Sequence, residues 1–482
     1  MVGIISYGVH IPWHRISHKT ISSAMGWFNA ASPPGEKAVA NYDEDSITMA
    51  VAAGMDCLNN LEREKIGSLY FATTTSPYAE RQGAAVIATA LDLSPDMRIA
   101  DFAHSTKAGT TALISACEVI KAEAAKNMML CASDCRLGKP GSTQEHIYGD
   151  GSAALLMGDN QVIASLEGYY SVSYDFIGEW RASGEDFEHS LEDRFVQDEG
   201  HNKFIPQAVA GLLQKYQLSI KDFAKVIYPC PNARLHAAIG RRLGVEPEQI
   251  QDSMLTSVGN TGVAHPLMLL VAALEEAKPG DKLLIASYGN GSDALFFQVT
   301  EEIEKVRDRR GIKASLALRK ELSNYEKYIS FRNILPIERG VRGEKYEGYF
   351  TPLARQWRER RAILALCGSR CKRCGTPQYP PQRICVKPDC GAVDEMELYC
   401  FSDKKGQLFT YTADNLAYSP SPPRIYGMIN FEGGGRYWFD FADCDADSLA
   451  VGMPVEMSFR RKYADKEQGS NTYFWKAIPM RT

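Results

Sequence analysis

Gly149-Asp150-Gly151-Ser152-Ala153-Ala154-Leu155 and Gly289-Asn290-Gly291-Ser292-Asp293-Ala294-Leu295 follow one pattern: a glycine turn running straight into an apolar strand. Each stretch closes a similar series of strand, helix, strand, Gly-rich turn and strand. That echo predicts a duplicated architecture. Outward from it, short apolar runs at 3–9, 68–73, 128–133, 153–157, 226–229, 282–287 and 294–299 read as strands. They alternate with helical periodicity at 46–59, 84–91, 110–125, 202–216, 233–243 and 266–276. This alternation is the rhythm of a layered α/β fold, because helices must cover the faces of the strands they connect.

The rhythm ends near residue 300. A charged helical stretch opens a connector over 301–350, expected to pack across domains. A basic helix and a cysteine cluster then occupy 351–395. Strand-like alternation at 407–412, 424–431, 436–441 and 454–460, separated by turns, predicts a small antiparallel barrel over 396–482.

A chain of 482 residues with 45% hydrophobic and 23% charged residues is ordinary globular protein in several domains. A net charge of −5 supplies no basic field, so no nucleic-acid partner is expected. Met1-Val2-Gly3-Ile4-Ile5-Ser6-Tyr7 reads as no leader, and no apolar run is long enough for a membrane span, so a cytoplasmic location is expected.

Cys371-Lys372-Arg373-Cys374-Gly375 is a metal knuckle, with two thiolates on a turn that the glycine lets fold back. Cys385-Val386-Lys387-Pro388-Asp389-Cys390-Gly391 supplies a second, wider pair. Four thiolates fill the tetrahedral shell of zinc and leave no position for water, so the site reads as structural. Cys367 reads as packing rather than ligand, and the scattered cysteines as small buried hydrophobes.

This ribbon and the strands after it, roughly 351–480, resemble the zinc-ribbon/OB domain that accompanies thiolase-like acyl-CoA enzymes. The resemblance implies a role as scaffold and partner, and a further acyl-CoA enzyme as a candidate associate. Phe409, Tyr411, Tyr437, Trp438 and Phe439 would suit an OB barrel that stacks bases, but Asp440, Asp443, Asp445 and Asp447 would repel phosphates.

Asp101-Phe102-Ala103-His104-Ser105-Thr106-Lys107-Ala108-Gly109-Thr110, Gly259-Asn260-Thr261-Gly262 and Ser287-Tyr288-Gly289-Asn290-Gly291-Ser292-Asp293-Ala294 resemble archaeal-type 3-hydroxy-3-methylglutaryl-CoA synthase, and more distantly ketoacyl synthase III. The stretch Tyr325-Glu326-Lys327-Tyr328-Ile329-Ser330-Phe331-Arg332 is similar to that family's C-terminal tail. The resemblance implies a five-layered αβαβα thiolase-like fold, a homodimer formed through its first half, and a CoA thioester as substrate. It sets Thr106 where the family carries its cysteine nucleophile, Thr74 near the family glutamate and Pro229 near the family histidine. Asn260 stands in its family place.

A threonine hydroxyl ionises far above a thiol, so an acyl-enzyme needs a strong adjacent base. Two enzymatic readings follow. In the first, Thr106 and the glycine amides of Gly289 and Gly291 hold a thioester oxygen, Asn260 polarises, and His265 is the base for aldol or retro-aldol cleavage of a β-hydroxyacyl-CoA. Tyr288, Tyr148, His104 and Cys230 are further candidates for that base, and Lys107 supports the helix or a substrate phosphate. In the second, synthase or ketoacyl-synthase condensation persists, with Thr106 or Cys230 carrying the acyl group. A non-catalytic scaffold in an acyl-CoA assembly is the third reading.

Overall fold

The computed structural model describes residues 1–29, 31–59, 61–307, 309–337, 351–465 and 468–480. The part of the expected connector at 338–350 lies outside the described residues. The chain divides into two compact units. One spans Met1–Asn41, Asp45–Ala85 and Ser94–Ile329; the other gathers Tyr42–Glu44, Val86–Leu93 and Ser330–Thr482.

The first unit is built on nine strands: β1 (Gly3–His10), β2 (Ser68–Ala72), β3 (Arg98–Phe102), β4 (Met128–Asp134), β5 (Gly151–Gly158), β6 (Ala164–Ser173), β7 (Lys225–Ile227), β8 (Lys282–Ala286) and β9 (Gly291–Val299). Their order is β7-β8-β9-β6-β1-β5-β4-β2-β3. The two glycine-led segments that opened the sequence reading become β5 and β9. They occupy matching places, β5 between β1 and β4, and β9 between β6 and β8. β2 runs parallel to both β3 and β4, and β7 runs parallel to β8, as crossover helices require.

Helices α1 (Ser46–Leu58) and α3 (Asn202–Tyr216) pack on β1 and β5, and on β6 and β9, respectively. Helices α2 (Ala108–Lys121) and α4 (His265–Glu276) contact each other. They share one apolar cluster with strands from both halves. Leu267, Leu269, Leu270 and Leu274 are fully buried, the all-round apolar surface of a helix covered on both sides. Burial of each such leucine contributes about 1.5–3 kcal/mol.

The second unit holds a ribbon and a barrel. In the ribbon, β10 (Cys367–Cys371) pairs with β11 (Pro377–Gln378) and β12 (Met396–Cys400). The barrel strands are β13 (Gly406–Asp414), β14 (Arg424–Phe431), β15 (Arg436–Asp440), β16 (Pro454–Asp465) and β17 (Ser470–Pro479), in the order β15-β14-β13-β16-β17. A bridge from Phe441 to Ala477 brings the two ends of that order together. In β14, Ile425, Gly427, Ile429 and Phe431 face inward, with half-buried residues between them.

Two expectations for this unit are corrected. Cys367 does not simply pack: it is bonded to Cys400, its register partner across the ribbon. Part of the acidic run is neutralised rather than left as a repelling field. Asp440 pairs with Arg424, and buried Asp443 pairs with Arg460 at 2.5 Å, beside Asp43 and Glu44.

Candidate active site

A cavity of about 930 Å³ opens in the first unit where several strands end. Thr73 and Thr74 follow β2, Ala103–Thr106 follow β3, Arg136 follows β4, and Tyr288–Asn290 follow β8; all line it. Ligands in α/β sheets collect at the carboxyl ends of strands because the connecting loops diverge there. The rest of the wall comes from the loop carrying Ser76, Tyr78 and Arg81, from Asp101, and from a polar segment including Glu179, Arg181 and Glu188.

Asp134, fully buried at the end of β4, organises this mouth. It accepts hydrogen bonds from the Thr74 and Thr75 amides and the Thr73, Thr74 and Thr75 hydroxyls. It also accepts from the Val263 amide at 3.0 Å, which ties the loop after β2 to the Gly259–Gly262 turn. Burial pushes its carboxyl pKa up, and the donated hydrogen bonds from Val263 and Thr74 oppose that rise.

Thr106 lies just before α2. Its hydroxyl donates to the Tyr288 carbonyl at 2.7 Å. Its own amide meets no acceptor among the described residues and sits at the positive end of α2. Gly289 lies hard against this turn, and a Cβ there would come within 2.3 Å of the Ser105 hydroxyl. The expected glycine oxyanion hole is corrected, because the Gly289 and Gly291 amides each donate to the other's carbonyl. Gly291 is also absent from the cavity wall, where Gly289 is present. Lys107 turns to Asp293 at 3.0 Å, and Asp293 also accepts from the Thr110 and Thr111 hydroxyls. Lys107 therefore steadies the start of α2.

His265 is the plainest departure from expectation. It is fully buried and does not line the cavity. Its Nε2 lies 3.1 Å from the Ser253 carbonyl and its Nδ1 3.3 Å from Thr261. At the start of an apolar helix, the ring satisfies the backbone around it. Asn260 likewise serves the turn, with its Oδ1 accepting from the Gly262 amide, and it does not line the cavity. Cys230 is buried with its thiol pKa pushed well up by desolvation. Tyr288 does line the cavity. Its ring stacks on His201 at 3.6 Å, and burial together with the nearby Glu179 charge holds its phenol protonated. Among the described residues lining the cavity, none is a cysteine; Cys135 sits beside it, its thiol facing the Thr75 hydroxyl.

His265 carries a pH signature. Burial lowers its pKa to about 4, below the ordinary value near 6.5. Its contribution to stability is complete above pH 6.5 and is lost as pH falls toward 4, because the unfolded chain takes up the proton first. Unfolding measured at pH 7 and at pH 4.5 should show the unaltered chain losing about 2 kcal/mol relative to His265→Asn over that interval. An equal pH dependence in the two proteins would contradict the burial of the neutral ring.

Residues 213–295 match the family model for the 3-oxoacyl-[acyl-carrier-protein] synthase III C terminal. Residues 358–397 match the ChsH2 rubredoxin-like zinc ribbon, and residues 401–460 the ChsH2 C-terminal OB-fold domain. A hydroxymethylglutaryl-CoA synthase from Methanobrevibacter smithii is 31% identical over 69% of this chain and 99% of its own length. One from Pyrococcus furiosus is 32% identical over 69% of this chain and 96% of its own length. The chain belongs to the hydroxymethylglutaryl-CoA synthase family.

The fold agrees. A solved HMG-CoA synthase complexed with CoA superposes with a TM-score of 0.63 at 20% identity, covering 70% of this chain and 92% of that one. A 3-oxoacyl-[acyl-carrier-protein] synthase III from Aquifex aeolicus gives 0.54 at 18% identity, covering 62% of this chain and 100% of that one. The hydroxymethylglutaryl-CoA synthase family thus covers the first unit's length, and the ribbon and barrel fall to their own families.

The ribbon cysteines fit zinc. Cys371, Cys374, Cys385 and Cys390 bring their sulfurs within 4.8 Å of one another. Cys371 and Cys390 are 3.7 Å apart, and Cys374 and Cys385 3.5 Å. Tetrahedral Zn–S bonds of about 2.3 Å place sulfurs about 3.8 Å apart. Gly375 and Gly391 adopt positive φ just after the second cysteine of each pair; the sequence predicts the first of these turns, at Gly375. The group these residues hold is a structural zinc.

The acidic and basic wall escaped sequence reading. Arg136 is 3% exposed, lies over the Tyr148 ring, and pairs with Glu179 at 2.9 Å and Glu188 at 3.4 Å. Arg181 also pairs with Glu188 and donates to the Thr74 carbonyl. The one available signal was a charge two residues past the end of a buried strand.

Proposed function

We propose that this chain is a thiolase-superfamily enzyme that makes or breaks the carbon–carbon bond beside the carbonyl of a CoA thioester, without an acyl-enzyme. Relatives named hydroxymethylglutaryl-CoA synthase support the superfamily and the thioester, and their name favours the bond-forming direction over cleavage. A neighbour solved with CoA supports the same class of substrate. The observation that carries the cysteine-free part is Thr106, whose hydroxyl is committed to the Tyr288 carbonyl in a cavity with no thiol among the described residues that line it.

In this reading the Thr106 amide and the N-terminus of α2 receive the thioester oxygen as it becomes an enolate. A donor of this kind contributes about 2.7–4 kcal/mol to the transition state. A pair of chains joined through the first unit, a further acyl-CoA enzyme docked by the ribbon and barrel, and a cytoplasmic setting belong to the same proposal. The membrane plays no part in it; among the described residues no helix is long and apolar enough to cross one.

The test uses 3-hydroxy-3-methylglutaryl-CoA in one direction, and acetyl-CoA with acetoacetate in the other. Liquid chromatography with mass spectrometry should find interconversion while the intact mass of the chain stays unchanged. An acetyl adduct on the chain would return it to the covalent synthase mechanism. No turnover of either mixture, with a stable co-purifying protein, would favour the scaffold reading.

A further inference from the structure

An enolate mechanism needs a group that takes and returns one proton, and neither His265 nor the positions of Thr74 and Pro229 supply it. Five carboxylates line the cavity: Asp101, Glu179, Glu185, Asp186 and Glu188. Asp101 spends both oxygens on the Gly83 and Ala84 amides at a helix start. Glu188 is 6% exposed, and one of its oxygens is shared by Arg136 and Arg181, each at 3.4 Å. Glu185 and Asp186 are exposed at the rim, and Glu185 already holds the Ala182 amide and His189.

Glu179 differs from all four. It sits on the two-residue strand Glu179–Trp180, fixed by pairing with His189–Ser190. Its side chain is 26% exposed to the cavity, while its partner Arg136 is buried at 3%. The Arg136 bond at 2.9 Å goes to Oε2. A buried guanidinium held over Tyr148 fixes the direction of this carboxylate. Glu179 and Thr106 line the same cavity, which Tyr288 also borders: its hydroxyl lies beside Gly178 and its carbonyl accepts from Thr106.

We propose that Glu179 is the general base of this site, with Arg136 as its positioning residue; the inference rests on the enolate reading above. In the bond-forming direction the Glu179 carboxylate removes the α-proton of the acyl-CoA, and the C–H electron pair becomes the enolate held at the Thr106 amide. The enolate carbon attacks the carbonyl carbon of the second substrate, and that carbonyl's π pair moves to its oxygen. The alkoxide then takes the proton back from Glu179, so the carboxylate is regenerated. Cleavage is the same sequence reversed.

The experiment follows deuterium entering the methyl group of acetyl-CoA in D₂O, which reads proton removal without any condensation. The unaltered chain should exchange. Glu179→Gln should slow exchange about 100-fold or more, and Glu179→Asp should recover part of it. Thermal midpoints measured alongside should match, because the side chain is partly exposed and Gln keeps a hydrogen-bond acceptor for Arg136. Exchange at the same rate in Glu179→Gln and the unaltered chain overturns the assignment of the base. Absence of exchange in the unaltered chain overturns the enolate reading itself, and the assignment falls with it.

Discussion

Cys374→Ser should strip the zinc and unfold the ribbon. Zinc bound to four thiolates contributes about 10–16 kcal/mol to small domains of this kind, more than a short ribbon can replace. The apolar cluster around Cys371 and Cys385 adds only Ala392 and the half-buried Met396, so the metal takes the place of a core. Metal analysis should give one zinc per unaltered chain and none for the variant. Hydrogen exchange should show the amides of β10 and β12 losing protection while α2 and α4 keep theirs. Cys367→Ser is the control: its partner is Cys400, outside the metal cluster, so zinc content should hold. Retained zinc in Cys374→Ser would remove that cysteine from the ligand set.

The second large effect is expected at Asp134. Asp134→Ala leaves the Thr74 and Val263 amides without their buried acceptor, along with hydroxyls of Thr73, Thr74 and Thr75, while the Thr75 amide keeps the Thr73 hydroxyl. Each unsatisfied buried group costs about 1–3 kcal/mol, so a loss of at least ~4 kcal/mol is expected after local relaxation. Asp134→Asn should rescue little, because its amide nitrogen would point donors at donors. Chemical denaturation measures the loss. Turnover should fall too, since the loop carrying Thr74 and the turn carrying Asn260 both hang on this carboxylate. A loss under 1 kcal/mol for the alanine variant would mean that water replaces the carboxylate freely, and that the mouth is not organised as described.

The paired glycine segments were legible as duplicated strands because a turn glycine and an apolar run are local signals. Helices 202–216 and 233–243 were read at their observed limits for the same reason. Strand β6 went unread: its burial is uneven, with Glu167 and several of its later residues outside the core. Strand β3 went unread because every one of its residues is at least partly exposed. Of the residues named for the site, Thr106, Tyr288 and Gly289 were found on the cavity wall, where their spacing sets them just past strand ends. His265 and Asn260 were not, because a residue's place in the chain does not say which way its side chain turns.

By itself, the sequence determined the strand and helix alternation, the repeat and the four zinc ligands, all properties of residue type and local spacing. Tertiary structure decided which polar groups meet: Asp134 with Val263, Arg136 with Glu179, and the Thr106 hydroxyl with the Tyr288 carbonyl. Those pairings join residues far apart in the chain. Only burial, which makes an unpaired polar group costly, selects them.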